Sequence, residues 1–295
     1  MSVDRHGRGR LVAARRSAEP YHLRAMTVDI PRRLRLTVLG CSTAAPHPAS
    51  PASGYLVTWG TTSILLDAGQ GVASRLAREI DPRSLAGVVV GHMHADHYID
   101  LAALRYLFPW GSTAETRLPI HLPPGGRDRL TTLAAAISER AGFFDAAFDV
   151  AEYDANVALK VGPLIIRFQR RQHYVPAWSV AIETPDGQRL VYTGDTGPDD
   201  EAVDFARGAD LLLVEAALRS AANDDPVRGH LTVEEAIDLA RRAGARATLI
   251  VHFDPDRQTE IGALCEAAGP WIRPAYAGLT LSLIPTTGDE AVLAP

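Results

Sequence analysis

The chain has 295 residues, 46% hydrophobic and 22% charged, with a formal net charge of −5. That length holds one large core or two modest ones, and Gly and Pro without a fixed period exclude collagen-like and low-complexity classes. The acidic balance offers no basic body for nucleic acid beyond a local patch. No apolar run approaches the roughly 20 residues of a membrane span, and two distant cysteines, Cys41 and Cys265, make no disulfide framework and fit a reducing, cytoplasmic setting.

Residues 1–33 carry eight arginines against Asp4, Glu19 and Asp29, with no apolar h-region of a secretory signal. They read as a disordered basic extension, or as residues upstream of a true start at Met26; a nucleic-acid arm is the functional alternative. The domain is read over 34–295. Leu34–Gly40 alternates as a strand and leads into a Pro- and Ser-rich loop. Residues 55–59 and 63–67 read as a hairpin about Gly60, 71–80 as a helix, and 85–91 as a buried strand. Helices are read over 100–108 and 127–141, and strands over 163–169, 178–182 and 189–193, the last two joined by the turn Thr184-Pro185-Asp186-Gly187. Strand Leu211–Glu215, a helix over 232–243 capped by Thr232, strand 247–252, helix Gln258–Ala268 and strand 279–284 complete the chain. Early strands look hairpin-like and later ones alternate with helices. Two β-rich halves with outer helices point to an α/β (α+β) four-layer αβ/βα sandwich.

The chemistry concentrates in Gly91-His92-Met93-His94-Ala95-Asp96-His97, where a buried strand runs out into a loop. His92 and His94 lie two apart, so an extended chain points both toward one ion, and Asp96 and His97 face another after the chain turns. Imidazole and carboxylate without thiolate suit Zn²⁺, Mn²⁺ or Fe²⁺ rather than a structural cysteine site. Only ten histidines exist in the chain, so three in this window are a poor match to a chance surface cluster.

His-x-His-x-Asp-His after an apolar strand resembles the signature of the metallo-β-lactamase superfamily. From about Leu34 onward the other segments keep that family's order: Leu65-Leu66-Asp67-Ala68-Gly69, His173 at a strand end, Tyr192-Thr193-Gly194-Asp195-Thr196, Gly229-His230-Leu231-Thr232 and Val251-His252-Phe253. The resemblance implies the metallo-β-lactamase fold and two divalent ions, Zn²⁺ ahead of Mn²⁺ or Fe²⁺. It implies His92, His94 and His173 on the first ion, Asp96, His97 and His252 on the second, and Asp195 bridging them. A carboxylate between two ions roughly 3.5–4 Å apart supplies the negative charge they require. Asp67 looks like the acceptor that orients a ligating imidazole, with a strand-end cap as the alternative. His230, by resemblance to the ribonuclease Z and phosphodiesterase branches, is a proton donor to the leaving oxygen, so His230, Asp96 and Asp67 are the catalytic candidates. His47 reads as a loop residue within reach of the site, His121 as structural, and His6 and His22 as parts of the extension. Arg170 and Arg171 have the chemistry to hold a phosphate, with solvent the default for either one.

Residues 36–42 and 51–56, with Tyr192–Gly197, closely resemble atypical actinobacterial cyclic-nucleotide phosphodiesterases of this superfamily. The resemblance implies hydrolysis of a small phosphodiester such as 3′,5′-cyclic AMP. A ribonuclease Z acting on tRNA is the alternative, but it usually carries a Gly/Pro-rich arm between the third histidine and the bridging aspartate. Here 21 residues separate His173 from Asp195, filled by two strands and a turn. A non-catalytic metal or ligand sensor fits the full ligand set plus His230 poorly, and lactamase or thiolesterase chemistry normally needs no residue like His230. A homodimer is left open.

Overall fold

The computed structural model describes residues 33–108, 117–222 and 227–283. The basic extension, save Arg33, and the last residue of the strand read over 279–284 lie outside them, as do His6 and His22.

Strands β1 (Leu34–Gly40), β2 (Gly54–Trp59), β3 (Thr62–Leu66), β4 (Gly87–Val89), β5 (Leu118–Leu122) and β6 (Phe148–Glu152) build one sheet in that order. The other sheet runs in the order β13-β12-β11-β10-β9-β8-β7, from β7 (Leu159–Val161), β8 (Leu164–Arg171), β9 (Ala177–Glu183), β10 (Arg189–Tyr192), β11 (Leu211–Glu215), β12 (Thr248–Val251) and β13 (Ile272–Pro274). The chain returns to the outer edge of β1 as β14 (Thr280–Ser282). Among the described residues the helices are α1 (Val72–Glu79), α2 (Ala95–Tyr98), α3 (Leu101–Arg105), α4 (Gly126–Ile137), α5 (Asp200–Ala206), α6 (Val233–Ala243) and α7 (Gln258–Ala268).

Strand alternation sorts the side chains into layers. Leu36, Val57, Ile64 and Leu66 meet Ile166, Val180, Leu211 and Leu213 between the sheets. Leu56, Leu65 and Val88 turn to the other face and pack under Val72, Leu76, Leu104 and Leu130 of the helices there. Leu212, Val214 and Ile250 likewise pack under Val203, Ile237, Ala240 and Ile261. The result is the four-layer αβ/βα sandwich that the sequence pattern implies. Each of the buried Val, Leu and Ile side chains among them contributes about 1.5–3 kcal/mol. Both faces of β11 are covered, which is why Leu211–Val214 is continuously apolar.

Several elements differ from the sequence reading. The first half is hairpin-like only through β1–β3, since β3, β4, β5 and β6 pair in parallel. The ladder of β4 has three residues, Gly87–Val89, rather than seven; beyond it the Val90 N–H still donates to His121 O at 3.0 Å, and the Gly91 N–H turns to Asp67 Oδ1 at 2.8 Å. Helix α3 stops at Arg105 and α4 at Ile137, where Ser138 turns extended. Strands β5 and β6 escape the pattern because Pro119, His121 and two acids dilute their apolar signal; remote parallel pairing stabilises them instead. The pattern also misses β7, β13, α5 and the single turn α2.

The topology gathers one edge. Strand β9 is antiparallel to both β8 and β10, so β8 and β10 run the same way, as do β11 and β12. Their C-terminal ends therefore open on one side of the second sheet, facing the ends of β3 and β4 in the first. The edge is closed between sheets where Trp178 N–H donates to Gly91 O at 3.1 Å and His92 bridges to Ala177.

Candidate metal centre

The residues that the resemblance assigns to the two ions, together with Asp67, stand at that edge. Asp67 follows β3, His92–His97 follow β4, His173 follows β8, Asp195 follows β10 and His252 follows β12. Within this group His92 Nε2 lies 3.2 Å from His94 Nδ1, which lies 3.0 Å from His173 Nε2. Two donors on one tetrahedral zinc at about 2.0–2.1 Å stand about 3.3 Å apart, so this spacing fits a shared cation. Asp195 Oδ2 is 3.6 Å from His92 Nε2, 3.9 Å from His173 Nε2, and 3.3 Å from both His97 Nε2 and His252 Nε2. Asp96 Oδ2 completes the second side, 3.5 Å from His97 Nε2 and 4.0 Å from His252 Nε2. His92, His94, His173 and Asp195 form one group able to hold a metal ion, and Asp96, His97 and His252 form another.

Electrostatics agrees with that use. Burial, reinforced by neighbouring imidazoles, holds His92 well below the usual histidine range and His173 at about 4; His94 is lowered mainly by burial. Neutral imidazoles are what a metal requires. Burial alone would raise the Asp195 carboxyl, but His252, His97 and His92 outweigh it and keep the group ionised. His97 is the opposite case. Burial disfavours its charge, yet Asp195 and Asp67 raise it well above the usual value. Its Nε2 faces carboxylate oxygens without a hydrogen bond of good geometry, a position suited to a proton or a metal cation.

Outer partners orient the rings. Asp67 Oδ2 lies 2.7 Å from His97 Nδ1 and accepts from the Tyr192 hydroxyl at 2.9 Å, while Oδ1 takes the Gly91 N–H. Asp67 thus orients an imidazole and caps the end of β4 at once. His173 Nδ1 donates to Gly229 O at 2.7 Å, and Ser53 Oγ lies 3.0 Å from His252 Nδ1. Among the described residues Asp67 (φ 56°) and His252 (φ 49°) are the non-glycine positions with positive φ. Both are at this site, where backbone strain is held by surrounding structure. Gly69 is required by close approach, since a Cβ there would lie 2.0 Å from Asp96 O.

His230 joins the edge from the segment before α6. Its Nδ1 lies 2.9 Å from Glu215 Oε1, and its ring packs 5.0 Å from that of His173 and 5.8 Å from that of His252. Burial would lower this histidine, but Glu215, assisted by Asp195, raises it to about 9. Glu215 is fully buried and also accepts the Thr196 and Ala217 N–H groups, which fixes its carboxylate. Thr232 caps α6 through a capping box with Glu235 and anchors the chain after His230.

Other candidates fall elsewhere. His47 bonds Asp256 and the Ala49 N–H within its loop, and His121 sits half-buried on β5 against Gly87. Arg170 is exposed, as expected of an outward-alternating residue, while Arg171 is buried and its Nη1 donates to Asp199 at 2.8 Å. Sequence reasoning missed Glu215, Ser53, Tyr192 and Gly229. Glu215 had a legible signal, a carboxylate ending an otherwise apolar buried strand; Ser53, Tyr192 and Gly229 stand in segments that carry the family resemblance, but only folding gives them their partners at the site.

This fold and these clusters define a metal-dependent hydrolase. Residues 62–253 match the beta-lactamase superfamily domain, and the chain belongs to that superfamily. It is 37% identical over 250 residues to an uncharacterized protein of Mycobacterium leprae, covering 83% of this chain and 86% of that one. It is 30% identical to the probable metallo-hydrolase YhfI of Bacillus subtilis, covering 75% and 87%. The crystal structure of YhfI superposes with a TM-score of 0.74 at 25% identity over 85% of this chain and 99% of that one. A ribonuclease Z of Ignicoccus hospitalis is 28% identical, covering 75% and 88%.

Proposed function

We propose that this chain is a dinuclear phosphodiesterase whose foremost substrate is a 3′,5′-cyclic nucleotide such as cyclic AMP. The observation that carries the reading is His230, locked by buried Glu215 and set against both candidate ligand groups. A residue so placed serves a reaction whose leaving oxygen needs a proton, as an alkoxide does and a better leaving group does not.

In this reading His92, His94 and His173 hold one ion, Asp96, His97 and His252 the other, and Asp195 lies between them; zinc suits the donors best. Divalent cations, when bound, activate water and offset charge on phosphate oxygens. Asp67, Gly229 O and Ser53 hold the ring orientations of His97, His173 and His252. With Nδ1 committed to Glu215, His230 gives up its proton from Nε2, and Glu215 stabilises the cationic ring before transfer.

The alternative is tRNA 3′-processing, supported by the similarity to ribonuclease Z. The short path from His173 to Asp195 weighs against it: β9 and β10 join through a tight turn in which Gly187 N–H donates to Thr184 O. The segment holds no additional arm to grip a tRNA. A panel decides between them. Protein supplied with Zn²⁺ or Mn²⁺ is assayed on cyclic AMP, cyclic GMP, bis(p-nitrophenyl) phosphate and a 3′-extended tRNA. Turnover of a cyclic nucleotide is expected; cleavage of the tRNA alone overturns the proposal.

A further inference from the structure

The residue after His173 has no part in the chemistry described so far. Tyr174 is 61% exposed, yet it directly follows His173 of the candidate ligand cluster. Its ring centroid lies 5.1 Å from that of His173 and 5.6 Å, edge to face, from that of His230. Gly229 makes this placement possible: a Cβ there would lie 2.9 Å from Tyr174 Cε2 and 2.8 Å from His173 Nδ1. The ring is thus supported by the backbone before His230 and by two imidazoles, while much of its surface stays open to solvent.

We propose that Tyr174 is the platform on which the base of the nucleotide that carries the leaving oxygen stacks, making the site selective for phosphodiesters with a nucleobase on that side. The inference rests on the reading of His230 as the group facing the leaving oxygen. In a nucleotide the base sits one sugar ring away from that oxygen, and Tyr174 sits one ring-to-ring contact away from His230. An exposed ring carries little cost in solvent and gains fully when a second π face covers it. Stacking accepts any base, so the platform distinguishes nucleotides from base-free sugar phosphates rather than one base from another. A second exposed ring, Tyr276 at 55%, leaves β13 two residues past its last pair with β12. It lies at the opposite end of the row of strands from Tyr174 and provides a matched control.

Calorimetry on the metal-loaded protein tests the proposal, with 5′-AMP and ribose 5-phosphate as the probes. The unmodified protein is expected to bind 5′-AMP about 5- to 150-fold more tightly than ribose 5-phosphate, the worth of one base–aromatic stack. Tyr174→Phe and Tyr276→Leu should keep that preference, and Tyr174→Leu should lose it while still binding ribose 5-phosphate. Absence of a preference, its survival in Tyr174→Leu, or its loss in Tyr174→Phe overturns the stacking role. Equal weakening of both probes by Tyr174→Leu also overturns it and makes the ring a support for His173 and His230. Hydrolysis of bis(p-nitrophenyl) phosphate by the same sample reports on the phosphodiesterase reading separately, so failure of one is not mistaken for failure of the other.

Discussion

Replacing His230 by alanine separates proton donation from metal binding. The histidine touches both ligand groups through His173 and His252 but is bonded at Nδ1 to Glu215, so its loss removes an acid without removing a proposed ligand. Glu215 keeps the Thr196 and Ala217 N–H groups as partners, which preserves the fold around it. A positioned general acid is worth about 10²–10⁴-fold, or about 2.7–5.4 kcal/mol of barrier. The His230 side chain is 22% exposed, so water enters the space left by the ring and acts as a weaker acid. That places the expected loss on cyclic AMP toward about 10²–10³-fold, the lower part of the range for a positioned acid. A p-nitrophenolate departs without protonation, so kcat/KM on bis(p-nitrophenyl) phosphate should fall by less than about tenfold, outside that range. Elemental analysis should find the same metal content as in the unmodified protein. Equal losses on the two substrates refute the acid role. Loss of one metal equivalent makes His230 a ligand, an assignment its proximity to Asp195 and His252 also permits.

Glu215→Gln should retain both ions but move the alkaline limb of cyclic nucleotide hydrolysis to lower pH. The carboxylate holds His230 protonated up to about 9, so a neutral partner surrenders the proton earlier; an unmoved limb in the pH–rate profile refutes this pairing. Asp67→Asn should weaken metal retention by about 10–100-fold in chelator competition, since His97 loses its anionic partner. Unchanged affinity would reduce Asp67 to a cap on β4. Asp195→Ala should lower the metal content measured by elemental analysis, because it removes the oxygen shared by His92, His97, His173 and His252; full retention contradicts the bridging role. Deleting residues 1–25, which lack apolar anchors, should leave activity and Tm nearly unchanged, and a fall in either shows that this segment docks on the domain.

The residue types of the candidate centre were legible because each has distinctive chemistry and a distinctive place. Four metal-capable side chains crowd positions 92–97, and Asp67, His173, Asp195 and His252 each follow an apolar run that reads as a strand. The layers were legible for the same reason, since alternation in β1 and β8 and the continuous apolar run of β11 record which faces are covered. Tertiary structure alone decided the rest. Strands β5 and β6 carry weak local patterns and exist through parallel pairing with β4 and with each other, a contact that no window of residues contains. The orienting partners are remote in the same way: Ser53 reaches His252 across 199 positions, and Tyr192 reaches Asp67 across 125. A hydrogen bond to a remote partner leaves no trace in the local sequence, so a serine, a tyrosine and a backbone carbonyl could be assigned to the centre only after the two sheets had been brought edge to edge.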